Sequence, residues 1–304
     1  MPRIKAGNIR INYVEHGTGD NVLLAIHGNF GCADWLSLVL PLVPSGMRIV
    51  AAECRGCGDS DKPEPADNYS NYAMTTHAND MFALLDALEI GCCHLYGHST
   101  GGIICSHMLV AQPARFGKVL MLDPVTPFGL EFGKAQICTF AQMKADPSAA
   151  LVCLATAMPT LFRAETLVVP DELQFAAATS PAQRRLFRRV ADMTRVLSDG
   201  IWYGTPHDLA REWETQRLAQ RIDEMTHEHL LLYGKLDYWI PLEHVERMAE
   251  RLPKAKLEIF PYIGHSMCIE NPLLLARIFS DFFTEDGTGT ISSAAGRELH
   301  RAPQ

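Results

Sequence analysis

The hexapeptide Gly97-His98-Ser99-Thr100-Gly101-Gly102 sets a serine among glycines. A serine hydroxyl is a weak nucleophile until a base takes its proton, and it attacks well when a tight turn holds it out from the chain. Neighbours without a Cβ suit such a turn, because the backbone passes close to other chain there. A helix opening at Thr100 adds free backbone N–H groups and a partial positive charge behind the serine. Ser99 is therefore the candidate nucleophile.

A base and an acid must accompany it. Of the twelve histidines, His265 in Gly264-His265-Ser266 has the best setting, on a loop after a strand pattern and before the last helical one. His94 falls inside a strand pattern, His77 and His107 in helical ones, and His227-Glu228-His229 lacks the spacing of a zinc helix. Asp237, at the end of Gly234-Lys235-Leu236-Asp237, is the preferred acid; Asp123, which also ends a strand pattern, is its rival. Acyl transfer builds negative charge on a carbonyl oxygen and calls for two N–H donors. Thr100 supplies one, and Asn29 in the loop His27–Gly31 is the choice for the other, with His27 expected to bond loop backbone. The Cys54-x-x-Cys57 spacing has no second cysteine pair to complete a zinc site and no helix opening after it for redox work. No metal and no cofactor is expected.

These residues need a scaffold that brings strand ends together. Asn21–Gly28, Arg48–Glu53, Cys92–His98 and Lys118–Asp123 read as strands, the first as a continuous apolar run typical of a sheet covered on both faces. Helical patterns stand between them at Ala33–Leu42, Tyr72–Leu88 and Thr100–Pro113, which predicts an α/β sheet with right-handed crossovers. An edge hairpin turning at Gly17–Asn21 is predicted ahead of them. From about Thr126 to Thr226 the alternation gives way to helix-like segments at Gly133–Ala145, Ser148–Thr156, Ala182–Leu197 and His207–Met225, with one short strand-like LVVP. It resumes with His229–Asp237, Leu242–Arg251, Lys256–Pro261 and Pro272–Phe283. The expected division is a catalytic unit of 1–125 and 227–285, a helical cap of 126–226 and a mobile tail of 286–304.

Composition bounds the partners. The 304 residues are 47% hydrophobic, enough for a large core, and carry a net charge of -8. An acidic chain without a basic run argues against nucleic acid, and the apolar runs are strand-sized rather than membrane-spanning. Nine cysteines, several in apolar segments, read as buried thiols of a cytoplasmic protein. A homodimer is compatible with these features.

HGNFG at 27–31, RGCGDS at 55–60, GHSTGG at 97–102, GKLDYWIP at 234–241 and GHS at 264–266, in that order, resemble the α/β-hydrolase superfamily. They are most similar to its capped branch of esterases, lactonases, epoxide hydrolases and haloalkane dehalogenases. The resemblance spans about residues 9–284. It implies an eight-stranded, mostly parallel sheet with an antiparallel second strand, and a cap inserted after the sixth strand. The order Ser99, Asp237, His265 is the order of this superfamily. Epoxide hydrolases and dehalogenases of the branch use Asp where this chain has Ser99, which disfavours both activities. Glu53 stands where the family often has Asp.

The expected activity is hydrolysis of a carboxylic ester or lactone of a small hydrophobic molecule through an acyl-enzyme. The alternatives are amide, thioester or carbon–carbon bond hydrolysis, perhydrolase-type chemistry and a slow-turnover receptor. Phe30, Trp35, Phe128, Trp202, Tyr203, Trp239 and Met267 are candidate pocket liners, each equally compatible with ordinary core. Arg184, Arg185, Arg188 and Arg189 are expected to face solvent, with binding of an acidic substrate group as the other role open to them.

Overall fold

The computed structural model describes residues 2–44, 46–167 and 173–284. Eight strands form one sheet: β1 (Arg3–Ala6), β2 (Ile9–His16), β3 (Asn21–Ile26), β4 (Met47–Ala52), β5 (Cys93–His98), β6 (Phe116–Leu122), β7 (His229–Gly234) and β8 (Ala255–Phe260). They lie in the order β1-β2-β4-β3-β5-β6-β7-β8. β2 runs antiparallel to both β1 and β4, and every pairing from β4 to β8 is parallel. The resemblance implied this topology. The central strands are largely apolar because helices cover them: β7 is buried at all six positions.

The helices of the sheet domain are α1 (Met74–Ala87), α2 (Thr100–Ala111), α7 (Leu242–Arg251), α8 (Met267–Glu270) and α9 (Pro272–Phe283); α3 (Lys134–Ala145), α4 (Pro147–Thr156), α5 (Pro181–Met193) and α6 (Thr205–Thr215) form a cap inserted between β6 and β7. α5 shows why such a segment folds. Ser180 and Gln183 close a reciprocal capping box, Pro181 occupies the first turn, and Leu186, Phe187, Val190 and Met193 make its buried stripe.

Backbone and side-chain bonds tie the cap down. The Met74 N–H donates to Asp208 at 2.7 Å, the Ser198 N–H to the Gly56 carbonyl at 3.0 Å, and Gln183 Nε2 to the Ile269 carbonyl at 2.9 Å. All nine cysteines are free thiols; Cys92 and Cys138 are exposed, Cys153 is half-buried and the other six are buried.

Several elements differ from the sequence expectation. The edge hairpin turns one element earlier, at Gly7 with φ 60, and joins β1 to β2; after Gly17 the chain crosses to β3 instead of pairing with it. Ala33–Leu42 forms two short 3-10 turns, Ala33–Leu36 and Leu40–Leu42. The expected helix His207–Met225 is broken at Gln216, in left-handed backbone at φ 52, where Glu212 accepts the Leu218 N–H at 3.1 Å. Most of the LVVP segment and the 286–304 tail lie outside the described residues.

Among the described residues no helix is long and apolar enough to cross a membrane. In the arginine cluster Arg185, Arg188 and Arg189 are exposed and Arg184 is half-buried; Arg184 and Arg188 lie over the Phe175 ring, and Arg189 pairs with Asp34 at 3.1 Å.

Candidate active site

β5 runs straight into α2, and Ser99 sits on the join with φ 54 and ψ −120. A non-glycine residue in that region is strained, so the surroundings must hold it. The Ser99 N–H donates to the Leu122 carbonyl at 3.0 Å, and the Ser99 carbonyl accepts from Gly102 at 2.9 Å and Val125 at 2.8 Å. Gly101 is required by contact: a Cβ there would lie 2.3 Å from the Ile26 carbonyl oxygen. Gly28 is required likewise, since its Cβ would lie 2.8 Å from that of Ser99.

His265 and Asp237 meet below the cap. His265 Nδ1 is 2.8 Å from Asp237 Oδ2, and with the proton on Nδ1 the ring donates this bond and leaves Nε2 as a base. Asp237 Oδ1 accepts from the backbone of Trp239 at 2.6 Å and Ile240 at 3.3 Å. These bonds fix the carboxylate. The Trp239 ring stacks on His265, with centroids 5.5 Å apart. His98, the residue before Ser99, lies 4.8 Å from His265 by ring centroids and bonds the His265 carbonyl at 2.8 Å.

Asp123 stands next to this pair in a different state. One carboxyl oxygen of Asp123, one of Asp237 and one ring nitrogen of His265 lie within 4.8 Å of one another, the one such acid–histidine group among the described residues that converges as metal ligands do. His265 Nδ1 is already engaged by Asp237. Asp123 Oδ1 accepts the Gly234 N–H at 2.8 Å, while Oδ2 is buried without a partner. Burial first, then the charge of Asp237, pushes the Asp123 carboxyl well above its ordinary range. Of the two rival acids, Asp237 bonds the histidine and Asp123 bonds the start of the loop that carries Asp237.

Sequence inspection did not single out Glu270. Its Oε2 accepts the N–H groups of Gly264 at 3.0 Å and Ser266 at 3.3 Å, on either side of His265, and its Oε1 accepts Thr160 Oγ1 at 2.7 Å and N at 3.2 Å from the cap. One carboxyl thus grips both the histidine loop and the cap. Burial pushes it up to about 7 against the pull of those four donors. An acid five residues after the candidate histidine was the visible clue.

The early loops brace the floor. His27 Nδ1 bonds the Gly28 carbonyl at 2.6 Å and its Nε2 accepts the Cys54 N–H at 3.1 Å. Glu53 accepts from Ala33, Asn12 and Asp59. Arg55 makes a buried two-pronged pair with Asp80, both contacts at 2.6 Å, besides bonding the Asn71 carbonyl. Cys54 and Cys57 are buried, with the Cys54 thiol pushed up to about 12 by burial, which keeps it from acting as a thiolate.

Ser99, Asn29 and Thr100 share the wall of a cavity of about 640 Å³ between sheet and cap. Of the expected liners, Phe30 and Trp239 face it. The other five sit elsewhere among the described residues. Trp202 packs behind Phe30 at 4.9 Å, Trp35 lies against His98 at 5.2 Å, and Phe128 and Met267 are wholly buried in core. Tyr203 is half-buried under Lys144, 4.7 Å from the ring centre. The wall is completed by residues that sequence inspection passed over, including Phe132 and Phe140 near the start of the cap and Leu209 and Trp213 on α6.

Among known proteins, 2-hydroxymuconate semialdehyde hydrolase of Pseudomonas sp. (strain CF600) is 26% identical, the match covering 95% of each chain. The 2-hydroxy-6-oxo-6-phenylhexa-2,4-dienoate hydrolase of Burkholderia cepacia is 24% identical over 90% of this chain and 91% of its own. In three dimensions the enol-lactonase of Burkholderia xenovorans LB400 superposes with a TM-score of 0.72 at 16% identity, covering 93% of this chain and all of its own. The alpha/beta hydrolase fold family matches residues 21–272, most of the length, and the chain belongs to that family.

Proposed function

We propose that the protein is a serine hydrolase that works through an acyl-enzyme, with Ser99 as nucleophile, His265 as base and Asp237 orienting it. What carries this is the serine, in strained backbone at a helix N-terminus on a cavity wall, together with a histidine whose Nδ1 is bonded to a buried carboxylate and whose carbonyl bonds His98, the residue before the serine. The N–H groups of Asn29 and Thr100 serve as the oxyanion donors.

The bond broken is carbon–carbon in preference to ester. The relatives' names describe enol–ketone or enol–aldehyde acids with no ester, lactone or amide linkage, so hydrolysis of the phenylhexadienoate must divide its carbon chain. Sequence inspection placed an ester or lactone first; the same groups serve either. Ser99 Oγ bonds the ketone carbon as its proton passes to His265. In the keto tautomer, where the enol proton has moved to the carbon beside the ketone, the adduct then collapses: the carbon–carbon bond breaks, its electron pair enters the conjugated carbonyl of the leaving fragment as an enolate, and His265 returns the proton to that fragment. Water deprotonated by His265 releases the acid.

Mass spectrometry of a matched ester, lactone, thioester and vinylogous 1,5-diketone tests this. Carbon–carbon products are expected, reduced by about 10⁴-fold or more in S99A, with fluorophosphonate labelling lost in the same variant. Turnover or labelling that survives S99A overturns the nucleophile; turnover confined to the ester overturns the bond type.

A further inference from the structure

The cavity is graded in polarity and one-sided in charge. Beyond the floor its middle is apolar, with Phe30, Phe132, Phe140, Leu209 and Trp213; its mouth is polar, with exposed Glu131, Gln136, Thr139, Tyr238 and Glu243. Among the described residues on this wall there is no lysine or arginine, and both of its glutamates are solvent-exposed.

The histidines do not make good the missing cation. His244 stacks on Trp213 with centroids 5.2 Å apart and is held below its ordinary pKa by burial, with Arg247 acting in the same direction and Glu243 against it. His27 and His98 beneath the floor are also held low by burial. Arg247, one turn beyond Glu243 on α7, has its guanidinium 3.9 Å over the buried Phe128 ring and is not part of the wall.

A carboxylate moved into such a space loses its water and meets no counter-charge, which disfavours its binding. The two exposed glutamates also repel it as it approaches. An uncharged ligand meets neither obstacle, and the hydroxyls and amide at the mouth can bond a neutral polar end.

We infer that this site selects a substrate without a carboxylate: an uncharged carbonyl compound with an apolar body, unlike the acids in its relatives' names. The inference rests on the proposed function for where the substrate sits, and its chemistry is that of the wall alone.

Calorimetry with a matched pair, 6-phenylhexanamide and 6-phenylhexanoate, on the folded S99A protein tests it without turnover. The amide is expected to bind at least tenfold tighter, with the gap narrowing in high salt and in E131Q/E243Q. Equal affinity, tighter binding of the acid, or no binding of either would overturn the inference. On the wild type, p-nitrophenyl hexanoate should exceed p-nitrophenyl hydrogen adipate in kcat/KM by a similar factor, chiefly through KM. Fluorophosphonate labelling that persists in S99A would remove the proposed nucleophile and leave the binding comparison readable.

Discussion

Between β5 and α2 there is no spare volume, since a methyl on Gly101 would overlap the Ile26 carbonyl at 2.3 Å. Across the cavity, α3 buries only Met143 of its twelve residues and presents the rest to solvent or to the cavity. The groups proposed to react are on the tight side and much of the wall that meets substrate is on the loose one. Reacting atoms tolerate little displacement, whereas a cavity wall can change its side chains while the scaffold stands. On the proposed function the sheet side holds the reacting groups, and the cap shares with the loop after β7 the wall that selects what reaches them.

The contrast can be broken most directly at Gly101. G101A forces the elbow apart from β3 and is expected to cost more than about 4 kcal/mol, read as a lowered urea midpoint or as failure to fold. Next comes D80A, which leaves the buried Arg55 unpaired; a loss of about 3–5 kcal/mol is expected from the same measurement. On the cap, M143A should cost about 2 kcal/mol. Amide hydrogen exchange should show the loss confined to α3, with KM raised more than kcat is lowered. An equal loss of protection in β5 would refute the division.

Glu270 joins the two sides and gives a pH test. Its folded pKa of about 7 lies above the ordinary 4.5. The folded protein therefore holds a proton that the unfolded chain has released, and this group's contribution to stability falls as pH rises through 7. E270Q lacks that titration. Its Tm relative to wild type should rise between about pH 5 and about pH 8, on the order of 4 °C. The smallest effect is expected at Ile137, which is 49% exposed on α3: I137S should change stability by less than about 0.5 kcal/mol.

Much of the sheet side is legible in the sequence because its rules are local. The strand–serine–helix join is written in six consecutive residues, and apolar runs bounded by glycine announce covered strands. Asp237 and His265 are readable as strand-end residues, and their bond follows from topology. The cap is less legible. Its helices show in outline, but the break at Gln216 depends on Glu212 turning back to accept the Leu218 N–H, a tertiary event with no pattern in the sequence. The cavity wall is illegible for a related reason: an aromatic residue has the same apolar signature whether it faces the cavity, like Phe140, or core, like Phe128. Glu270 carries no such signal, because three of its four donors are backbone N–H groups, which nearly every residue offers, and the fourth is a threonine hydroxyl distant in sequence.

The distribution of thiols gives the molecule a built-in ruler. Cys92 ends the loop before β5 and Cys138 rides on α3, and these are the two exposed cysteines of the nine. Burial of six others and half-burial of Cys153, whose thiol is pushed up to about 11, leave a maleimide two fast targets. One label falls on the sheet and one on the cap. A donor–acceptor dye pair attached without mutagenesis would report the distance between the two regions as ligand enters.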